Sequence, residues 1–132
     1  MSVFKAYDIR GLAGSQLDAE FAQRLGAALV THLDAKCVAV ARDIRESGPE
    51  LHNAFLQGMT RAGADVIDLG ITTTGVLYRA TVDLSVDAAV AITASHNPPA
   101  YNGFKLYNSE GRQIISPEDK VFIQEYQKID II

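Results

Sequence analysis

A single cysteine, Cys37, leaves the chain no means of forming an internal disulfide, which excludes a cystine-stapled scaffold and a cysteine-rich metal site. Four prolines in 132 residues exclude a polyproline linker. No apolar run approaches the roughly 20 residues of a membrane-spanning helix. The opening MSVFKAYDIR carries charges where a secretory signal would be apolar. These two absences imply no membrane partner and a cytoplasmic protein. Basic excess is lacking too: 12 Lys and Arg face 16 Asp and Glu, a formal net charge of -4, so a nucleic-acid backbone would repel the chain. What remains is 48% hydrophobic and 21% charged, a globular composition. At this length folding removes about two-thirds of the unfolded chain's surface from water.

The apolar residues alternate between two periods. Leu17, Phe21, Leu25, Leu29 and Leu33 fall four apart and line one face of a helix over residues 17–33. CVAVARD, residues 37–43, is a short apolar run ending in charge, as expected of a strand covered on both faces. Ser47 and Glu50 have the spacing of a capping box for a helix carrying Leu51, Ala54, Phe55, Gly58, Met59 and Ala62, with Gly63 as its stop. ADVIDLG predicts a second strand, 74–84 a second crossover helix, and DAAVAIT at 87–93 a third strand. GFKLYN and GRQII, separated by Ser109-Glu110, predict an antiparallel hairpin appended to the sheet. A last helix begins at Ser116-Pro117, with Val121, Phe122, Tyr126 and Ile129 on its inner side. The expected fold is a single three-layer α/β domain: a mixed, mostly parallel sheet between helices, with an appended antiparallel hairpin.

Ligands of open α/β sheets gather at the carboxyl ends of the parallel strands. Three loops meet there: Arg42 to Arg45, Gly70 to Thr74, and Ser95 to Pro99. With two guanidinium groups and helix starts behind it, this edge suits an anion. Ser95, in a turn bounded by proline and glycine, is either an accessible hydroxyl of fixed geometry or a turn residue bonding its own backbone. His96 is its neighbour, but no GxSxG elbow and no orienting carboxylate accompany it, which argues against a serine hydrolase. GxGxxG, Walker A and HExxH patterns are absent. His32 and His52 are expected on helix surfaces, Asp8 and Arg10 in a turn ion pair, and Lys105 in solvent, facing away from the buried side of Phe104 and Leu106.

FKAYDIRG at 4–11, ARDIRESGP at 41–49 and TASHNPPAYNGFKLYN at 93–108 resemble, in order and spacing, the first domain of the α-D-phosphohexomutases. The likeness is to the bacterial phosphomannomutase/phosphoglucomutase branch; the related phosphoglucosamine mutases open with an FGTDGIRG-like run that AYDIRG does not match. The resemblance implies that Ser95 carries a phosphoryl group and exchanges it with hexose phosphates through a hexose 1,6-bisphosphate. It places His96 and Asn97 in the phosphoserine loop, and Arg10 and Lys105 at the transferring group. Arg10 is implied as a fixed positive charge and Lys105 as proton acceptor or donor. Tyr7 supports Arg10 or fills the core, while Arg42, Asp43 and Arg45 fix a loop through ion pairs. Mg²⁺ is implied as the metal, touching this domain only through the Ser95 phosphate. The DGDGD-type loop that would hold the ion is not in these 132 residues. Members are about four domains long, so the companion domains are implied partners, the chain alone is expected to be inactive, and its uncovered faces are expected to self-associate. A non-catalytic anion-binding or interaction module keeping the fold is the competing expectation.

Overall fold

The computed structural model describes residues 9–94, 98–110, 112 and 113. Three helices form where caps and periodicity agree. Asp18 accepts a hydrogen bond from the Phe21 amide at 2.8 Å and opens α1 (Ala19–Leu33); Asp34, in the left-handed region, closes it. α2 (Gly48–Arg61) starts with Pro49 in its first turn. The capping box is not made there. The Ser47 side chain makes no cap hydrogen bond, because its hydroxyl accepts from the Asn102 amide at 2.8 Å instead. Thr73 caps α3 (Thr74–Asp83) by accepting from the Val76 amide.

β1 (Ile9–Leu12), β2 (Cys37–Arg42), β3 (Asp65–Ile71), β4 (Ala88–Ile92) and β5 (Tyr101–Asn108) form one sheet in the order β1-β5-β4-β2-β3. β4, β2 and β3 are parallel, and β5 runs antiparallel to both β4 and β1. Four strands therefore point one way and only β5 is reversed, the mixed, mostly parallel sheet expected. The hairpin's first strand is not at the margin, however. It begins at Tyr101 and lies between β4 and β1, because the 9–12 segment, expected as a turn, supplies a further strand. Tyr107 makes an isolated antiparallel bridge to Gln113; the rest of the GRQII strand and the last helix lie outside the described residues.

Strand alternation divides the core into two layers. Val38, Val40, Ala88, Val90, Ile92, Phe104 and Ile9 pack with Leu25, Leu29, Leu51, Phe55 and Met59 of α1 and α2. On the other face Ala39, Ala41, Ala89 and Ala91 meet Leu77 and Ala80 of α3. Phe55 and Phe104 are fully buried with ring centroids 5.1 Å apart, joining α2 to β5. α1 and α2 approach so closely that a Cβ on Gly58 would enter the Gln23 carbonyl. His52, expected on a surface, is buried: its Nε2 lies 3.0 Å from the Asp68 carboxylate, which also accepts from the Gly70 amide at 2.8 Å. The pairing ties α2 to the middle of β3, next to the point where the register with β2 shifts and Leu69 is the extra residue.

Candidate functional site

The carboxyl ends of β2, β3 and β4 are laced together by backbone hydrogen bonds. The Asp43 amide donates to the Ile92 carbonyl at 3.2 Å and the Thr72 amide to the Arg42 carbonyl at 3.1 Å. The loops after β2 and β3 therefore meet at the end of β4; of the third expected loop, Pro98 and Pro99 are described. Asp43 is the centre of the rim. One carboxylate oxygen accepts from the Arg45 amide at 3.1 Å; the other accepts from Arg45 Nε at 3.2 Å and from the Thr93 hydroxyl at 2.7 Å. Arg45 continues across the rim, one terminal nitrogen donating to the Pro98 carbonyl at 2.8 Å and the Tyr101 carbonyl at 3.1 Å. Its side chain is 12% exposed and that of Asp43 30%, so this is a partly shielded ion pair with charge-assisted hydrogen bonds.

Beside this rim the sheet presents two cations on one face. Arg10 pairs in register with Gly103, and Lys105 with Ala91. Ile9 and Phe104 point to the α1 and α2 side, so Arg10, Gly103 and Lys105 belong to the opposite face. Arg10 and Lys105 are diagonal neighbours there, the relation that sets residues roughly 7–8 Å apart across a strand pair. Lys105 is half-buried in the sheet and not solvated as expected; Ala91 opposite it and Gly103 beside it leave its stem room. Gly103 is where these parts meet. Its carbonyl accepts from the Thr93 amide at 2.8 Å, and a Cβ there would enter the Ile9 carbonyl and stand 3.0 Å from Arg10 Cγ and from the Thr93 oxygen. Only glycine lets β1 bring Arg10 this close to the strand end that leads to residue 95.

Ser95, His96, Asn97 and Tyr7 lie outside the described residues. The flanks of the serine turn are described. Thr93 is buried and bound to Asp43, Tyr101 donates its amide to the Pro98 carbonyl at 2.9 Å, and Ala100 accepts from the Ala13 amide at 2.9 Å. Asn102, with no exposure at all, donates to Ser47 and accepts from the Gly103 amide at 2.9 Å. Thr93 and Asn102 were not singled out from sequence. The Asn-Gly pair after the turn was the available signal for the second; a threonine ending an apolar strand gives none. Cys37 lies at the other end of β2, its thiol pushed up from its ordinary range by burial first and then by the Asp65 and Asp87 carboxylates, so it is no candidate nucleophile. No three His, Cys, Asp or Glu side chains come together among the described residues, and the rim carboxylate, Asp43, is already engaged. These residues do not make a resident Mg²⁺ site.

The fold and rim define an open-sheet α/β/α domain whose polar loops gather at the carboxyl ends of its parallel strands. Residues 1–131 match the family described as phosphoglucomutase/phosphomannomutase, alpha/beta/alpha domain I, and the chain belongs to that family. It is 41% identical over 133 residues to a phosphomannomutase/phosphoglucomutase of Pseudomonas aeruginosa, covering 98% of this chain and 28% of that protein. A phosphomannomutase of Vibrio cholerae is 46% identical over 121 residues, 88% of this chain and 26% of its own. Among solved structures, a phosphoglucomutase/phosphomannomutase family protein of Burkholderia thailandensis superposes with a TM-score of 0.86 at 39% identity, over 95% of this chain and 30% of that one. The chain thus spans little more than a quarter of these two curated relatives.

Proposed function

We propose that this domain supplies the phosphoryl-carrying serine, Ser95, of a mutase interconverting hexose 1-phosphates and 6-phosphates of mannose and glucose. The observation that carries the reading is the placement of Arg10 and Lys105 on one sheet face beside the strand end leading into the serine turn. A phosphoserine brings nearly two negative charges and three acceptor oxygens, and such a group needs fixed cations close by. In the forward half-reaction a hydroxyl of the bound hexose phosphate attacks phosphorus. The new sugar O–P bond forms as the Ser95 Oγ–P bond breaks, and the proton of the sugar hydroxyl passes by way of Lys105 to the serine oxygen as it leaves. The hexose 1,6-bisphosphate then reorients and returns its other phosphoryl group to Ser95.

Arg10 neutralises charge on the equatorial oxygens throughout, since its guanidinium keeps its proton. His96 and Asn97 shape the serine turn, and Tyr7 backs Arg10. The family's Mg²⁺ would touch this domain only at the Ser95 phosphate, and the transfer takes no step from the ion here. The domain is the first of several, acting with companion domains that bind the sugar, and is inactive alone. Phosphate-donor labelling of the full-length protein with glucose 1,6-bisphosphate, followed by peptide mapping, should place phosphate on Ser95, and Ser95→Ala should abolish transfer. Label on another residue, or an active Ser95→Ala enzyme, would overturn the assignment.

A further inference from the structure

Two hydrogen-bonding systems bracket the serine turn, and both start from the short loop after β2. Upstream, the Thr93 hydroxyl donates to Asp43 at 2.7 Å, a short charge-assisted bond made by a residue that is buried and two positions from Ser95. Downstream, Arg45 holds the Pro98 and Tyr101 carbonyls while its Nε and amide hold Asp43. One carboxylate and one guanidinium therefore join the entrance of the turn to its exit. A second tie runs from Ser47, at the start of α2, to Asn102, the residue after Tyr101. Ser47 gives up its helix-capping bond in this arrangement, so the local preference of the helix yields to anchoring the turn.

We propose that Thr93, Asp43 and Arg45 form a positioning device that closes the serine turn at both ends and aims Ser95 at the transferring phosphoryl group. The inference rests on the phosphoserine reading above. Thr93 is the residue that converts loop order into aim: removing its hydroxyl frees the entrance and leaves a half-buried carboxylate oxygen with Arg45 Nε as its remaining side-chain donor, while Arg45 still holds the exit. In-line transfer depends on placement, and a displacement of about 1 Å costs on the order of a hundredfold in rate. Sugar recognition lies elsewhere in the full enzyme, so the loss falls on turnover and not on substrate affinity.

The test uses the full-length mutase. Thr93→Val, which keeps the shape and loses the donor, should lower kcat about tenfold to a hundredfold with KM changed less than about threefold, and should slow phosphate uptake from glucose 1,6-bisphosphate. Thr93→Ser, which keeps the donor, should restore most of the loss. Arg45→Lys, which keeps the charge but not the fork that spans Asp43 and two carbonyls, should reproduce the kcat defect and serves if Thr93→Val does not fold. Wild-type kcat in both Thr93→Val and Arg45→Lys, a defect confined to KM, or a Thr93→Ser enzyme as impaired as the valine variant would overturn the positioning role. Were Ser95→Ala itself active, the phosphoserine reading would fall first; a dead Ser95→Ala beside normal Thr93→Val and Arg45→Lys enzymes removes the positioning device alone.

Discussion

At the scale of single residues, a side chain's neighbours decide whether its chemistry is available. Arg10 and Lys105 were legible as a pair only through the family resemblance. Spacing alone assigned one to a turn ion pair and the other to solvent, because the register that makes them diagonal neighbours joins segments far apart in sequence. His52 was misplaced for a related reason: helical periodicity does not say that Asp68, a half-exposed aspartate in the middle of β3, meets its buried ring. Asn102 has no exposure and bonds Ser47 through its amide nitrogen. Asn102→Ala should therefore cost about 1–3 kcal/mol, measured by chemical denaturation, through lost bonds and an orphaned Gly103 amide. Cys37 offers a pH prediction. Its proton is held more tightly in the folded state, so the stabilisation is full below the thiol's ordinary range and is lost as pH rises through it. Cys37→Ser should flatten the fall in stability between about pH 8 and 10, and alkylation of the native thiol should lag that of the unfolded chain.

At the scale of elements, strands and helices with a clear period were legible: α1, α2, α3 and β2 to β4 fall where periodicity puts them, give or take a residue or two at their ends. β1 was not, since IRGL has too few residues and too much polarity to show a strand pattern; its partner makes it a strand. The α1 and α2 contact is the tightest joint between elements. Gly58→Ala drives a methyl into the Gln23 backbone, which cannot turn aside as a side chain would, and should destabilise the domain by at least about 1–3 kcal/mol in thermal or urea unfolding. Gly103→Ala is a sharper probe of the site: it pushes β1 away from β5, and it should reduce activity of the full enzyme even at temperatures where the fold survives.

At the scale of the whole molecule, the described helices cover the two faces of the sheet unequally. Among the described residues, α1 and α2 bury one face, while α3 packs on β2 and β4 of the other and carries exposed Val76, Tyr78 and Val82 on its outer side, with exposed Ile71 at the end of β3. Isolated at high concentration, the domain should self-associate through this apolar surface. Sedimentation should show mass rising with concentration, and Tyr78→Lys with Val82→Glu should return it to monomer. A strict monomer from the unaltered chain would refute the expectation. Among the described residues no helix is long and apolar enough to cross a membrane.

The reversed β5 has a temporal meaning as well. Among the described residues β1 has no other partner in the sheet, and nearly the whole described chain separates the two in sequence. A ribosome must therefore deliver nearly all of the described chain before β1 can meet β5, and so distant a pairing is slow to find. Arg10 travels with that strand, so the cation proposed to face the transferring phosphoryl group arrives among the closing events of folding.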